Sequence, residues 1–256
     1  MNAPANSNRN KIGTLVAGAG FSIALAAGLA ALLAGLGTRW GWWDYRNGFQ
    51  IFQCAVWGGM AATAISLLAV TIALRNRLRH AIVFGIHGLI IGALVCGVPW
   101  YLVNEGRNLP PIHDITTDTV EPPVFVAVLP LRADAPNPVE YAGSELAEQQ
   151  KKGYPDLGPL ILATPPHTTF ERALAVARLS GWTIVAAVPE GYRIEATATT
   201  DWFGFKDDIV IRIKPAGDGS RVDMRSVSRI GRGDLGANAR RIRDFLQQLA
   251  AMNAAP

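Results

Sequence analysis

Three long apolar stretches occupy most of the first 103 residues. Ile12 to Leu36 contains no charged residue, and Ile51 to Leu74 and Ala81 to Val103 are also uncharged unless His87 is counted. A helix needs about 20 apolar residues to cross a hydrocarbon core of about 30 Å. Because backbone groups in lipid must be satisfied within the segment, a helix is the expected structure. The pattern therefore predicts three transmembrane helices.

A cleaved signal peptide is the alternative interpretation of the first stretch, since Arg9 and Lys11 precede it and alanines lie near its end. Its length exceeds the ~7 to 15 apolar residues of a signal peptide, and two further stretches follow, so we expect it to be retained. Within the spans, the spacing of Gly88 and Gly92 favours close packing of helices. His87 is expected to be a neutral imidazole bonded to a neighbouring helix.

The pattern then changes to shorter alternating segments, which are typical of a water-soluble domain. Thr168 and Glu171 form a predicted capping box for a helix that runs to about Ser180 and ends at Gly181. The order of the elements that follow determines the predicted fold.

Two β-hairpins are predicted after this helix. Apolar residues alternate over 182–188 and over 192–198, on either side of the turn Pro189–Gly191. Two more strands flank Gly217 and Asp218. The register that keeps apolar residues on one face forms four pairs: Pro215 with Ser220, Ile213 with Val222, Ile211 with Met224, and Arg212 with Asp223.

The remaining segments complete the predicted domain. Leu109 to Pro138 is rich in proline, which favours an extended chain that wraps the domain. Tyr141 to Lys152 is predicted to be a short helix, and residues 153–166 are predicted to be extended. Asp234 is predicted to cap a final helix whose apolar face is formed by Ile242, Phe245, Leu246 and Leu249.

The element order α-β-β-β-β-α predicts an α+β fold, with a four-stranded antiparallel sheet and helices packed on its apolar face. We predict a three-helix membrane region at residues 1–103 and an extracytoplasmic α+β domain at residues 104–256. The other sheet face is expected to be exposed and to carry polar residues: Arg193, Glu195, Thr197, Arg212, Asp223 and Arg225.

The basic residues beside the spans predict the orientation in the membrane, because they favour the cytoplasmic side. Five of them precede the first span or separate the second from the third, whereas only Arg39 and Arg46 lie between the first two spans. We therefore expect a multi-pass protein of the bacterial inner membrane, with a cytoplasmic N-terminus and a periplasmic C-terminal domain. The lipid bilayer is its first expected partner.

Charge location excludes a nucleic-acid interpretation of the sequence pI near 9.3. Residues 1–103 carry a net charge of +6, whereas residues 104–256 carry −2. The basic residues therefore indicate how the spans are oriented in the membrane and do not indicate a nucleic-acid site. Cys54 and Cys96 both lie in predicted spans, so the outer domain has no cysteine for a disulfide.

Two polar motifs resemble a known family. The first is Ile112-His113-Asp114-Ile115-Thr116-Thr117-Asp118, and the second begins at Val222-Asp223 and continues to Asn238. With Pro122-Pro123-x-Phe125 and Tyr154-Pro155-Asp156, they are similar to domain of unknown function family 1499, over about residues 109–249. The resemblance implies a domain boundary and no established activity.

The residues of the first motif could perform acid–base chemistry. His113, Asp114 and Asp118 are the candidate catalytic groups, with further carboxylates at Asp201, Asp207 and Asp208. No second histidine lies near them in sequence, so we predict no metal site and no cofactor. A polar loop in which these side chains bond the backbone is the alternative interpretation.

An arginine cluster follows in the second motif. Residues 221–243 hold seven arginines against Asp223 and Asp234, and guanidinium groups suit phosphate and carboxylate ligands. The alternative is an internal ion-pair network that supports the last helix and comprises Arg212, Asp223, Arg225 and Asp234. The candidate ligand-binding residues are Arg212, Asp223, Arg225, Ser226, Ser228, Arg229, Asp234 and Asn238.

These observations give one leading hypothesis and two alternatives. The leading hypothesis is a non-enzymatic envelope protein that binds an anionic lipid-like ligand or a partner protein through its arginine-rich hairpin. The alternatives are a hydrolase or metal-assisted enzyme that uses His113, Asp114 and Asp118, and a structural subunit of a membrane complex. The oligomeric state remains open at this point.

Overall fold

The computed structural model describes the backbone of residues 3–254 and the side chains of residues 10–253. Arg9, which contributed to the predicted orientation, lies outside the described side chains. The chain forms two compact units. One comprises Met1–Asn104 with Asp201–Gly204, and the other comprises Glu105–Thr200 with Phe205–Pro256.

The first unit contains three long helices: α1 (Ala3–Arg39), α2 (Tyr45–Arg75) and α3 (Arg79–Gly106). Each has a stretch long and apolar enough to cross a membrane, with mean hydropathies of 2.1, 1.8 and 2.3. The three predicted apolar helices are confirmed, and each extends beyond the uncharged stretch that predicted it. Their length and composition indicate association with a membrane.

Glycines allow the helices of this unit to approach closely. A Cβ atom at Gly88 would lie 3.0 Å from the backbone nitrogen of Phe21, and one at Gly92 would lie 2.8 Å from the carbonyl oxygen of Gly59. Their spacing therefore serves packing within the chain. The prediction for His87 was wrong in its partner, because Nδ1 lies 2.8 Å from the carbonyl oxygen of Val83 in the same helix.

The second unit is an antiparallel sheet with helices. Its strands are β1 (Asp114–Thr116), β2 (Leu160–Leu162), β3 (Thr183–Val188), β4 (Arg193–Thr199), β5 (Lys206–Ala216) and β6 (Gly219–Ser228). Its helices are α4 (Ser144–Gly153), α5 (Pro166–Leu179) and α6 (Ala237–Ala254). The strands lie in the order β3-β4-β5-β6, and both β1 and β2 pair with the free edge of β6.

The α+β class and the antiparallel sheet are confirmed, but the sheet has six strands instead of the predicted four. The two additional strands, β1 and β2, each contain three residues and lie in segments predicted to be extended chain. Three residues are too few for an alternating pattern to be recognised, and their pairing depends on a distant strand. The element order therefore begins β1-α4-β2-α5 before the two predicted hairpins.

The register predicted for the β5–β6 hairpin is confirmed at all four pairs. Pro215 lies opposite Ser220, and Arg212 lies opposite Asp223. The Arg212 and Asp223 side chains form the predicted ion pair at 3.1 Å. Agreement between the apolar face and the charged face was sufficient to determine this register.

Helices α5 and α6 pack on one face of the sheet. Apolar residues of all these elements form the main core, which includes Ile211, Met224, Phe170 and Phe245. Helix α5 begins at Pro166, so the predicted capping box at Thr168 was wrong. Proline is favoured in the first turn because it has no N–H to leave unsatisfied there.

The other sheet face is also buried, contrary to the prediction. Residues 117–140, which we call the covering segment, lie across it. Phe125 and Val128 of this segment pack against Val210 and Val227 of the sheet. The polar residues of this face are consequently taken out of solvent: Glu195 and Asp223 are fully buried, and Thr197 and Arg225 are nearly so. Of the six polar residues predicted on this face, only Arg193 and Arg212 keep partly exposed side chains.

Candidate functional site

The first family-like motif meets the second through a buried ion pair between β1 and β6. Arg225 donates from Nε and Nη2 to the two carboxylate oxygens of Asp114 at 2.9 and 2.7 Å. Its Nη2 also donates to the carbonyl oxygen of Val139 at 2.7 Å. The rings of Phe125 and Tyr141 lie 5.3 and 5.4 Å from the guanidinium carbon. The guanidinium is therefore enclosed by internal partners.

A second ion-pair cluster joins the covering segment to the β5–β6 hairpin. Asp118 accepts hydrogen bonds from Arg212 at 3.0 Å and from Arg221 at 2.9 Å. Both arginines also bond Asp223. Burial alone would raise the pKa of Asp118, but hydrogen bonds from two backbone N–H groups and the two guanidinium charges hold it below its usual value.

A third cluster surrounds Asp208 on β5. Its carboxylate accepts from Arg132 at 2.7 Å and from Arg229 at 2.8 Å, and Thr197 donates to it at 2.7 Å. Burial alone would raise the pKa of Asp208, but these hydrogen bonds lower it overall. Arg229 also donates to the carbonyl oxygen of Leu131 at 2.6 Å. All three clusters therefore fasten the covering segment to the sheet.

The serines of the second motif lie on the helix face and contact α6. Ser226 Oγ donates to Asn238 Oδ1 at 2.6 Å, and Asn238 Nδ2 donates to Ser228 Oγ at 2.9 Å. Arg241 donates to Ser226 Oγ at 3.0 Å and pairs with Asp207 at 2.6 Å. A nucleophilic serine needs a base that removes its proton, and the partners of these hydroxyls are an amide and a guanidinium. The cluster connects α6 to the sheet.

Asp234 organises the start of α6. It accepts hydrogen bonds from the backbone N–H groups of Gly236 at 2.8 Å and of Asn238 at 2.6 Å. This capping role agrees with the sequence prediction. Burial raises the pKa of Asp234. Asp234 does not contact Arg212 or Arg225 through any observed hydrogen bond, so the predicted network was wrong to include it.

Glycine is required at position 236 of this motif. Its φ is +78°, a value that L-residues rarely adopt. A Cβ there would lie 2.9 Å from Leu109 Cδ1 and 3.0 Å from Arg240 Nη1. The Asp-x-Gly-x-Asn part of the motif is therefore explained by the start of α6: Asp234 caps the helix, Gly236 adopts the positive φ, and Asn238 bonds the serines of β6.

The three candidate catalytic residues, His113, Asp114 and Asp118, do not converge at one site. Asp114 is held by Arg225, and Asp118 is held by Arg212 and Arg221. Asp201 belongs to the first unit, with a fully exposed side chain. Among the described residues, no three His, Cys, Asp or Glu side chains are arranged to hold a metal ion. These contacts give the acid–base hypothesis no support.

His113 differs from the other polar residues of its motif. Its imidazole is partly exposed, and its one observed polar contact is Nδ1 at 3.5 Å from the carbonyl oxygen of Arg232. It lines a cleft of about 370 Å³, within the usual range of ligand sites. The cleft is lined by Pro111, Ile112, His113, Asp114, Asn137, Pro138, Glu140, Ala142, Glu145, Leu146, Gln149 and Arg232.

Sequence reasoning missed several residues that build this region. Glu195 accepts hydrogen bonds from the N–H groups of Val126 and Val128 at 3.0 Å. Gln150 bonds both the N–H and the C=O of Thr116, at 2.9 and 2.7 Å, and so satisfies the outer edge of β1. One signal for the covering segment was present in the sequence. Phe125 and Val128 are large apolar residues in a proline-rich segment, and such residues are usually buried against another surface.

The class of protein follows from these features: a chain of three apolar helices and an α+β domain in which ion pairs fasten a covering segment to the sheet. The profile of the family described as "Protein of unknown function (DUF1499)" matches residues 114–249. This match covers more than half of the chain, so the chain belongs to that family, and the resemblance seen in the motifs is confirmed. Comparison with curated proteins gave no match.

Proposed function

We propose that this chain is a non-enzymatic protein of the bacterial inner membrane. Its periplasmic α+β domain binds a partner protein of the cell envelope in the cleft beside His113. The observation that carries the proposal is the contrast within the motifs: Asp114, Arg225 and Arg229 are engaged internally, whereas His113 and Arg232 line a cleft and His113 is partly exposed there.

The contacts of the arginines bear on the two ligand classes expected from the sequence. Arg225 is 3% exposed, and its guanidinium bonds Asp114 and backbone carbonyls. Arg229 bonds Asp208 and the carbonyl oxygen of Leu131. An anionic lipid would have to displace these carboxylates from buried pairs, which is costly. These contacts therefore argue against an anionic lipid at the hairpin, and the proposal places a partner protein at the His113 cleft instead.

The experiment that tests this proposal is purification of the full chain from native membranes, with mass spectrometry of the proteins and lipids that accompany it. Leu146→Arg places a charged side chain in the cleft and should remove the specific partner. Arg178→Glu on the exposed surface of α5 is the control and should retain it. Identical partners in the Leu146→Arg and wild-type proteins would contradict the cleft assignment.

The structural-subunit alternative predicts a different result in the same experiment. A subunit held through α1, α2 and α3 would keep its partners when the cleft is altered. The mass of the complex in detergent would then be the same for both variants and the wild type.

A further inference from the structure

The pairing of carboxylates in the outer domain differs sharply between the sheet and the cleft. Asp114, Asp118, Asp208 and Asp223 are each bonded to at least one guanidinium. In the cleft, Glu140 and Glu145 are exposed, and no basic group among the described residues lies within ion-pairing distance of them. The cleft thus presents two available negative charges beside apolar side chains.

The positive groups of the cleft do not neutralise this charge. Asp114 is already balanced by Arg225, which leaves Arg232 as the one arginine in the lining, beside His113. Apolar contacts are supplied by residues such as Pro138, Ala142 and Leu146. This combination suits a group that carries positive charge on an apolar stem.

The tyrosine that follows Glu140 is not part of the cleft lining. Tyr141 stands in the chain between Glu140 and Ala142, which both line the cleft. Its hydroxyl oxygen is buried and has no hydrogen-bond partner among the described residues. Burial and the charge of Asp114 raise the pKa of Tyr141 to about 12, so the phenol keeps its proton. Its ring lies 5.4 Å from the guanidinium carbon of Arg225, so this side chain belongs to the Asp114–Arg225 ion-pair cluster and not to the cleft.

We infer that the His113 cleft binds a basic peptide segment of the partner, in which a lysine or arginine side chain lies beside an apolar residue. The inference rests on the proposed function and reverses the ligand charge expected from the arginine cluster. Glu140 and Glu145 bind the cationic group, and Ala142 and Leu146 contact the apolar one. The recognised feature is local charge, since the whole of residues 104–256 carries only −2.

Three capped synthetic peptides that alternate leucine with lysine, glutamine or glutamate test the inference. Their affinities for the full chain in detergent can be measured by fluorescence anisotropy. We expect the lysine peptide to bind most tightly and its affinity to fall with added salt, because exposed charge pairs are screened. Glu140→Gln and Glu145→Gln should each weaken it roughly two- to fivefold, the range expected of exposed ion pairs.

Glu148→Gln is the matched control. Glu148 is an exposed glutamate of α4, the helix that contains Glu145, and it does not line the cleft. It should leave the affinity of the lysine peptide unchanged. An equal loss in Glu148→Gln would show nonspecific attraction and would overturn the inference. Glu145→Lys should shift the preference toward the glutamate peptide.

The remaining outcomes separate this inference from the proposed function. If the glutamine or glutamate peptide bound best, and Leu146→Arg abolished that binding, the cleft would be a binding site for a different ligand and the inference would fail alone. If none of the three peptides bound, the inference would fail. The proposed function would then stand or fall on the co-purification result for Leu146→Arg.

Discussion

Arg225 on β6 and Arg229 just after it have a different role in the fold from the one that their sequence pattern suggested. Seven arginines within residues 221–243 suggest a surface for anions. In the fold, Arg225 and Arg229 each hold a buried aspartate and a backbone carbonyl. Their guanidinium groups act inside the domain because each fork can bond a carboxylate and a carbonyl at the same time.

Arg225→Ala should lower the free energy of unfolding by roughly 3–5 kcal/mol, because it leaves the Asp114 carboxylate buried without its cation. Chemical denaturation of the full chain, followed by circular dichroism, would measure this loss. Arg232→Ala is the control, since Arg232 is exposed and forms no ion pair among the described residues. Its effect should remain within about 0.5 kcal/mol. Equal stability of the two variants would contradict a structural role for Arg225.

At the scale of elements, the covering segment is the feature that the pattern of strands and helices did not reveal. It is held by backbone contacts as well as by ion pairs. Glu195 of β4 is fully buried and accepts the N–H groups of Val126 and Val128. An extended segment needs such acceptors because it has no hydrogen-bonded ladder of its own.

Glu195→Gln should release part of the covering segment. Glutamine loses the charge that pairs with Arg193 Nε at 2.9 Å, and its N–H group would face that donor or the N–H of Val126, so roughly 1–3 kcal/mol of stability should be lost. Hydrogen exchange measured by mass spectrometry should show faster exchange at residues 126–128. Glu190→Gln, in the exposed turn between β3 and β4, should leave this exchange unchanged.

The same contacts predict a response to acid. The pKa values of Asp118 and Asp208 lie below the ordinary value near 3.9, so the unfolded chain binds their protons first. Their stabilisation should be complete above about pH 5 and should be lost as the pH falls through 4 toward the lower folded pKa. The contribution of Asp234 to stability should change with pH in the opposite direction. Burial raises its pKa, so this residue favours the folded state more at low pH than at neutral pH.

Asp208→Asn isolates one of these contributions. At pH 7 the variant should be less stable than the wild type, since it loses a charge held by two guanidinium groups. At pH 3 the difference should be smaller, because the unfolded wild-type chain binds a proton at this carboxylate before the folded protein does. Denaturation midpoints at the two pH values measure this change. A constant difference would argue against Asp208 as an acid-sensitive contact.

At the scale of the whole molecule, the charge is divided between the two regions of the sequence. Residues 1–103 carry +6 and residues 104–256 carry −2. The apolar helices indicate membrane association, and the basic residues beside them carry the orientation signal. The proposed partner binding in the periplasm depends on that orientation.

Reporter fusions test the predicted topology. Alkaline phosphatase should be active when fused after α6 and inactive when inserted at Arg77, and a fluorescent protein should show the reverse. Replacing Arg75, Arg77 and Arg79 with glutamine leaves two basic residues on each side of the first span, so mixed orientations are expected. An unchanged, single orientation in that variant would show that these arginines do not determine it.

The sequence by itself determined the features that depend on local periodicity. Helices α1, α2 and α3 follow from uncharged length, since lipid leaves the backbone no other partner. The β5–β6 register follows from two patterns that agree across one turn, with Ile213 opposite Val222 and Arg212 opposite Asp223. In each case the interacting groups are close in the chain.

Only the tertiary structure decided which face of the sheet is buried and what the charged motifs do. Asp114 and Arg225 are separated by 111 positions, and Arg132 and Asp208 by 76. Local patterns cannot specify contacts between residues so far apart. The covering segment can bury the polar face of the sheet because the carboxylates and guanidinium groups of the segment and of the sheet satisfy one another there. That burial places Arg225 and Arg229 in internal ion pairs and leaves His113 at a cleft lined by Glu140 and Glu145.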